Sequence, residues 1–251
     1  MTTTTASHPS FRSLARESAL DAAAILLPIR CAGCGAPDRR VCPSCTRALA
    51  PRPERASVAG LPVWAGLDYD GVARRVLLAY KDGGRADLAA ALASPLRAAV
   101  AAAQREYGEP SRESALLPVL IPSTRAARRR RGFHPTGSVL ARAHILVPPL
   151  WGALRLTRQT ADQARLGAAG RAANRTGSLA ASARLRGRSC LIVDDIVTSG
   201  STVAEAARAI QAVGGRIAGV AAIARTPRRG TAMAGATPGE LGANPVVPAV
   251  P

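Results

Sequence analysis

Lysine is all but absent from this 251-residue chain: Lys81 stands alone, and every other basic side chain is an arginine. Lysine and arginine together number 34 against 16 acidic residues, a formal net charge of +18. Such a balance usually points to phosphate-bearing partners. Here the arginines are spread through an Ala- and Gly-rich sequence as a compositional bias, so the charge predicts no more than weak, non-specific nucleic-acid binding. Aromatic residues make up only 3%, and Trp64, Tyr69, Tyr80, Tyr107, Phe133 and Trp151 do not interleave with a basic stripe. That argues against a base-stacking platform for single strands and leaves the core to Ala, Leu, Val and Ile.

No apolar run reaches the roughly 18 residues of a membrane span. The opening MTTTTASHPSFRSLARES lacks a compact apolar segment ahead of a small-residue cleavage site. A cytoplasmic protein with no membrane partner is expected, and in that compartment clustered cysteines serve as metal ligands more often than as disulfides. A hydrophobic share of 47% with 20% charged residues excludes a disordered chain. The length suits one α/β domain with a small appendage.

Residues 1–27 read as a polar, Thr-rich lead followed by a short amphipathic helix from Phe11, residues 28–48 as a cysteine module, and APRPERASVAG as a linker. The main domain is expected over 61–225. LPVWAGLDYD suits a strand or hairpin arm, GVARRVLLAYK and ADLAAALASPLRAAVAAAQRE have helical spacing, and ALLPVLIPS is a short buried strand ending in a polar loop. TGSVLARAHIL reads as a helix, SCLIVDD as a central strand, STVAEAARAIQAV as a helix stopped by Gly214 and Gly215, and RIAGVAAIA as a further strand. Alternating strands and helices predict an α/β fold, a parallel sheet with helices on both faces. Residues 226–251, rich in Pro and Gly without periodicity, read as a disordered tail.

Cys31, Cys34, Cys42 and Cys45 form two C-x2-C turns seven residues apart, the spacing of a closed tetrahedral zinc site. With four protein ligands no position remains for water, so the Zn2+ is expected to be structural. The fifth cysteine, Cys190, falls in an apolar strand and reads as core. The most informative stretch is CLIVDDIVTSGSTV, Cys190 to Val203. A buried strand delivers Asp194 and Asp195 at its carboxyl end, where open parallel sheets bind ligands. Thr198, Ser199, Gly200, Ser201 and Thr202 then lead into a helix, an arrangement of small hydroxyls, glycine and helix N–H groups that cradles phosphate. Two carboxylates suit the vicinal hydroxyls of a ribose. A strand ending in a polar turn and an N-capped helix would explain Ser201 or Thr202, but not the whole order.

This run resembles the 5-phosphoribosyl pyrophosphate (PRPP) motif of type I phosphoribosyltransferases. Together with the four-cysteine module, LDYDGVARRVLLAYKDGG, IPSTRAARRRRGF, and TRQTADQARL followed by GRAANRTG, in that order, the chain is similar over about residues 28–224 to ComF-like proteins. That family is associated with DNA-uptake competence and commonly labelled amidophosphoribosyltransferase-like. The resemblance implies a type I phosphoribosyltransferase-like domain behind an N-terminal zinc module, with PRPP bound alongside Mg2+. It implies Asp194 and Asp195 as the catalytic acidic pair on the ribose and Thr198 to Thr202 as the 5-phosphate loop. Ser123, Thr124, Arg125, Arg131, Lys81, Arg158 and Gln163 would contact pyrophosphate or substrate, Thr157 to Asn174 forming a loop that closes over PRPP. The chain departs from the family pattern at His134-Pro135 in place of Asn-Gln, at Gly170 in place of an acidic residue, and at Ser199, which keeps the hydroxyl of a threonine.

Three functions stay open on the sequence: a phosphoribosyltransferase that transfers to a nitrogen nucleophile and releases pyrophosphate, a non-catalytic PRPP-sensing or competence-machinery module working with competence or DNA-processing proteins, and a single-stranded DNA binder. Arg128 to Arg130 fit either a solvated basic turn or a nucleic-acid patch. His8, His134 and His144 have no partner at metal spacing and receive no role.

Overall fold

The computed structural model describes residues 29–107, 116–145, 152–157 and 177–227. The expected N-terminal helix, the C-terminal tail beyond Pro227, and all of the Thr157–Asn174 loop after Thr157, with Arg158 and Gln163, lie outside them.

Among the described residues the cysteine module comes first and ends in α1 (Pro43–Ala48). β1 (Glu54–Val58) and β2 (Leu61–Asp68) come next, then α2 (Gly71–Lys81), a 3-10 turn at Ala86–Leu88 and α3 (Ala89–Tyr107). β3 (Leu117–Leu120) leads to α4 (Arg125–Arg131) and α5 (Pro135–Arg142). After β4 (Leu154–Leu156) and β5 (Leu179–Ala181) come β6 (Ser189–Val197), α6 (Ser201–Ala212) and β7 (Arg216–Arg225).

The main sheet has the order β1-β2-β7-β6-β3. Four of its strands run parallel, Val63 facing Val220, Cys190 facing Ile217 and Leu117 facing Cys190, while β1 is antiparallel to β2. β6 and β7 are buried on both faces, so they read as continuous apolar runs and not as alternating ones. One face packs Leu191, Val193, Ala221 and Ile223 against α2, α3 and α5. The other packs Cys190, Ile192, Val220 and Ala222 against α6. This is the expected α/β architecture, a mostly parallel sheet covered on both faces.

α3 owes its place to an apolar stripe: Leu92, Leu96, Ala99 and Ala103 are fully buried at helical spacing on the sheet. Residues 86–107 are long and apolar enough, at mean hydropathy 1.3, to cross a membrane on composition alone. Their apolar side instead fills the core beneath β2 and β7.

Three segments differ from expectation. The stretch read as a linker is β1 and its hairpin turn, Glu54 pairing with Ala65 and Val58 with Leu61. Its polarity is that of an edge strand facing solvent, and the turn is a two-residue loop with positive φ at both Ala59 and Gly60. The polar loop expected after β3 turns within four residues into α4, which has no buried residue. A short antiparallel ribbon of β4 and β5, not anticipated, brackets residues 158–176.

That ribbon is fastened to α6 by a buried carboxylate. Glu205 accepts from the Leu179 N–H at 2.9 Å and from Arg208 Nε and Nη2, both at 2.8 Å, while Arg208 Nη2 also donates to the Leu179 carbonyl at 3.0 Å. Burial alone would raise the Glu205 carboxyl, but the Arg208 guanidinium and the backbone N–H groups of Leu179 and Gly177 outweigh it and hold it below its ordinary value. Glu205→Ala should therefore cost about 2 kcal/mol in urea denaturation, since it strands a buried N–H and loses charge-assisted bonds to a partly exposed arginine. Because the folded carboxyl titrates below the unfolded one, this stabilisation is present above the ordinary value of 4.5 and is lost as pH falls through the folded value. The gap between wild type and Glu205→Gln should narrow in acid; a gap that widens there contradicts the anchor.

Candidate functional site

The carboxyl edge of the parallel strands gathers the candidate residues. β6 delivers Asp194 and Asp195 after the buried run Leu191-Ile192-Val193. The Asp195 N–H donates to Asp194 Oδ1 at 2.9 Å, and the Ile196 N–H donates to Asp195 Oδ1 at 2.7 Å. Across the sheet face, the last residue of α2 completes the cluster: Lys81 Nζ lies 2.9 Å from Asp195 Oδ2, the two side chains being 24% and 10% exposed. The single lysine of the chain is thus the counter-ion of the acidic pair. Burial, and then the neighbouring Asp195 charge, push the Asp194 carboxyl up to about 7, against the opposing pull of the Asp195 N–H and Lys81.

Directly after the pair, Thr198 and Ser199 are exposed, and Ser201 and Thr202 are half-buried at the start of α6. Ser199 Oγ donates to Ser201 Oγ at 3.4 Å. Gly200 occupies the N-cap with φ +81, and no side chain caps the helix there. The first turn of α6 therefore adjoins the hydroxyl loop, an arrangement suited to an anion. A Cβ at Gly200 would lie 2.5 Å from Val58 Cγ1 and 3.2 Å from the Ala59 Cβ. The β1–β2 turn thus closes over the loop, and only glycine fits between them.

β3 lies beside β6, Leu120 facing Val193, so the loop after β3 meets the same edge. Ser123 and Thr124 are half-buried, and Thr124 Oγ1 caps α4 by accepting from the Ala127 N–H at 3.2 Å. Arg125 is exposed on the first turn of α4. Arg131 points the other way, to the end of α2: its Nε donates to the Lys81 carbonyl at 2.7 Å and its Nη2 reaches Asp82 Oδ1 at 3.3 Å. Of the residues expected to meet pyrophosphate or substrate, Lys81, Ser123, Thr124, Arg125 and Arg131 fall on or beside this edge, whereas Arg158 and Gln163 lie outside the described residues.

His134, given no role on sequence, caps α5 through Nδ1, which accepts from the Gly137 N–H at 3.1 Å. Burial, then the Arg128 charge, lower its pKa, while a backbone hydrogen bond at Ile121 and the Asp195 charge oppose the shift. The signal available in the sequence was Pro135 at the first helical position after a side chain able to cap. Lys81 was legible as a lone lysine, but its partner across the sheet was not.

In the N-terminal module the metal-ligating atoms of Cys31, Cys34, Cys42 and Cys45 all lie within 4.8 Å of one another, and three of these residues are buried. Cys34 Sγ is 3.6 Å from Cys42 Sγ, near the roughly 3.8 Å that sulfurs tetrahedral about Zn2+ at ~2.3 Å require. The donor set is therefore one that can hold zinc. The module is docked on α2: Arg75 Nε donates to the Gly33 carbonyl and Val72 packs against the cysteines. Arg85 Nη1 reaches the Arg30 carbonyl at 3.2 Å, and Arg40 pairs with Asp87 at 3.6 Å.

Residues 139–233 match the family model of the phosphoribosyl transferase domain. The matched stretch runs from α5 through β7 and includes the acidic pair and the hydroxyl loop, which supports the type I phosphoribosyltransferase superfamily. The cysteine module, α2 with Lys81, and β3 with α4 precede it. No curated protein matches the chain.

The purified chain should carry one zinc per molecule by metal analysis, and Cys34→Ser should lose both the metal and the folding of the module, since binding and folding are coupled in so small a unit. Zinc-free wild type, or a Cys34→Ser variant with full zinc and unchanged stability, contradicts the site.

Proposed function

We propose that this protein binds PRPP with Mg2+ at the carboxyl edge of its sheet and transfers the phosphoribosyl group to a nitrogen nucleophile, releasing pyrophosphate. The observation that carries the reading is the joining of an acidic pair to an uncapped helix N-terminus within one strand–loop–helix unit, inside the stretch that matches the phosphoribosyl transferase domain. A ligand with a vicinal diol and a phosphate beside it satisfies both parts at once.

Asp194 and Asp195 accept hydrogen bonds from the ribose hydroxyls and place negative charge near the anomeric carbon, where positive charge develops as the bond to pyrophosphate lengthens. The first-turn N–H groups of α6, with the hydroxyls of Thr198, Ser199, Ser201 and Thr202, hold the 5-phosphate. Lys81 and Arg125 offset the charge of pyrophosphate, which departs with the electron pair of the broken C–O bond. The nitrogen lone pair forms the new C–N bond and its proton passes to solvent. The adjacent carboxylates are hard oxygen donors of the kind Mg2+ takes, and the ion, when bound with PRPP, adds charge neutralisation at the leaving group. Zinc in the four-cysteine module is structural. The likeness to ComF-like proteins extends the proposal to a role beside DNA-uptake or DNA-processing partners in the cytoplasm.

Calorimetry with PRPP and Mg2+, followed by pyrophosphate release across a panel of nucleobases and amines, tests the reading and separates an enzyme from a sensor. Asp194→Asn combined with Asp195→Asn should weaken binding at least a hundredfold while the fold is retained, each lost charge-assisted acceptor costing about 1.5 to 3 kcal/mol. In the wild type affinity should rise with pH through about 7 as Asp194 gives up its proton. Unchanged binding in a folded double variant overturns the ribose assignment.

A further inference from the structure

We propose that Arg131 is a positioning residue of the PRPP site: it acts through Lys81, by fixing the last peptide of α2, and makes no contact with pyrophosphate itself. The inference rests on the PRPP reading of the acidic pair and assigns how that pair obtains its cation.

A helix leaves its last carbonyls without intrahelical partners, and α2 ends on Lys81. The chain then turns through Asp82-Gly83-Gly84, with Gly84 at φ +66, and the N–H groups of Gly83 and Arg85 are taken by the Leu78 and Ala79 carbonyls. The Lys81 carbonyl is instead taken by Arg131 Nε at 2.7 Å, and the same guanidinium reaches Asp82 Oδ1 at 3.3 Å. Its planar fork sets the orientation of the peptide as well as its place. Two neighbours of Arg131 hold the preceding residue. Phe133 packs its ring 5.2 Å from that of the fully buried Tyr80, and the Pro135 carbonyl accepts from the Tyr80 hydroxyl at 2.8 Å.

Lysine reaches its partner on a flexible four-carbon stem, so the direction of the ammonium depends on how firmly the base of the stem is held. Here that base is clamped, and Nζ sits 2.9 Å from Asp195. Arg131 is also set apart on its own helix. Arg125, Arg128, Arg129 and Arg130 are exposed, whereas the Arg131 side chain is only 15% exposed and committed to α2. Its donors serve the protein, and through them the ammonium of Lys81 is presented to the site beside Arg125.

The test uses the full-length protein and exploits its single lysine. Acylation of Lys81 by an amine-specific ester, read by peptide mass spectrometry without ligand, reports how tightly the ammonium is held by Asp195, and calorimetry with PRPP and Mg2+ reports affinity. Arg131→Ala should raise the Lys81 acylation rate about fivefold, the factor that one ordinary hydrogen bond allows, and should lower PRPP affinity together with it. Arg131→Gln, which keeps one donor for the carbonyl, should recover part of both. If Arg131→Ala does not fold, Arg131→Gln is judged against wild type by the same two readouts. A folded variant with unchanged Lys81 reactivity overturns the proposal, and so does an affinity loss with Lys81 reactivity unaltered, the result expected if Arg131 touched the ligand directly. Wild type that fails to bind PRPP defeats the functional reading alone, because the acylation rates still report on the clamp.

Discussion

Two carboxylates on consecutive residues, at the end of a strand buried on both faces, ionise together only at a cost that a nearby cation offsets. The ion pair of Lys81 with Asp195 supplies that cation, and much of the surrounding structure serves to bring its two halves together. Asp195 arrives on β6, a strand paired on both sides and buried on both faces. Lys81 arrives at the tip of a separate helix whose apolar side, Val76, Leu77 and Tyr80, is sunk in the core on the same face. Beside this pair, burial and the Asp195 charge raise Asp194 to about 7. In the proposed function, a ribose diol meets one carboxylate paired with Lys81 and a second whose charge depends on pH.

α2 connects this site to the cysteine module. Its first turns bear on the module through Val72 and Arg75, and its last residue reaches the acidic pair. Folding of the four-cysteine unit therefore supports the helix that carries Lys81, so that a zinc held by the four cysteines would be linked physically to a site it does not touch. On the other face, α6 joins two tasks: its N-terminus is the proposed anion cradle, and Glu205 with Arg208 ties the β4–β5 ribbon to the same helix.

What the sequence made legible was local. The order of buried run, two aspartates, hydroxyls with glycine, and helix lies within fourteen residues, Cys190 to Val203, and the two C-x2-C turns within fifteen, Cys31 to Cys45, so spacing alone carried them. The α/β alternation was equally readable, because β6 and β7 are continuous apolar runs. What escaped depended on distant pairings. β1 read as a linker because an edge strand of small and charged residues lacks alternation until β2 pairs with it. Arg131 was expected, apart from the basic run Arg128 to Arg130, to contact pyrophosphate or substrate, and nothing local shows that its partner is a backbone carbonyl of another helix. Only the fold turns it inward onto the end of α2. The backbone partners of His134 and Glu205, the N–H groups of Gly137 and Leu179, also escaped, since their places depend on a helix start and on ribbon pairing.

The solitary lysine gives the account its most direct test. Protein labelled with 15N only at lysine carries one side-chain ammonium signal, that of Lys81, and this signal can be followed as PRPP and Mg2+ are added. A saturable 1:1 shift in the wild type, absent when Asp194 and Asp195 are both replaced by Asn, is the result predicted for a ribose held by the acidic pair beside its counter-ion. A Lys81 signal that stays in place at saturating PRPP, or that moves equally with inorganic phosphate alone, would contradict it.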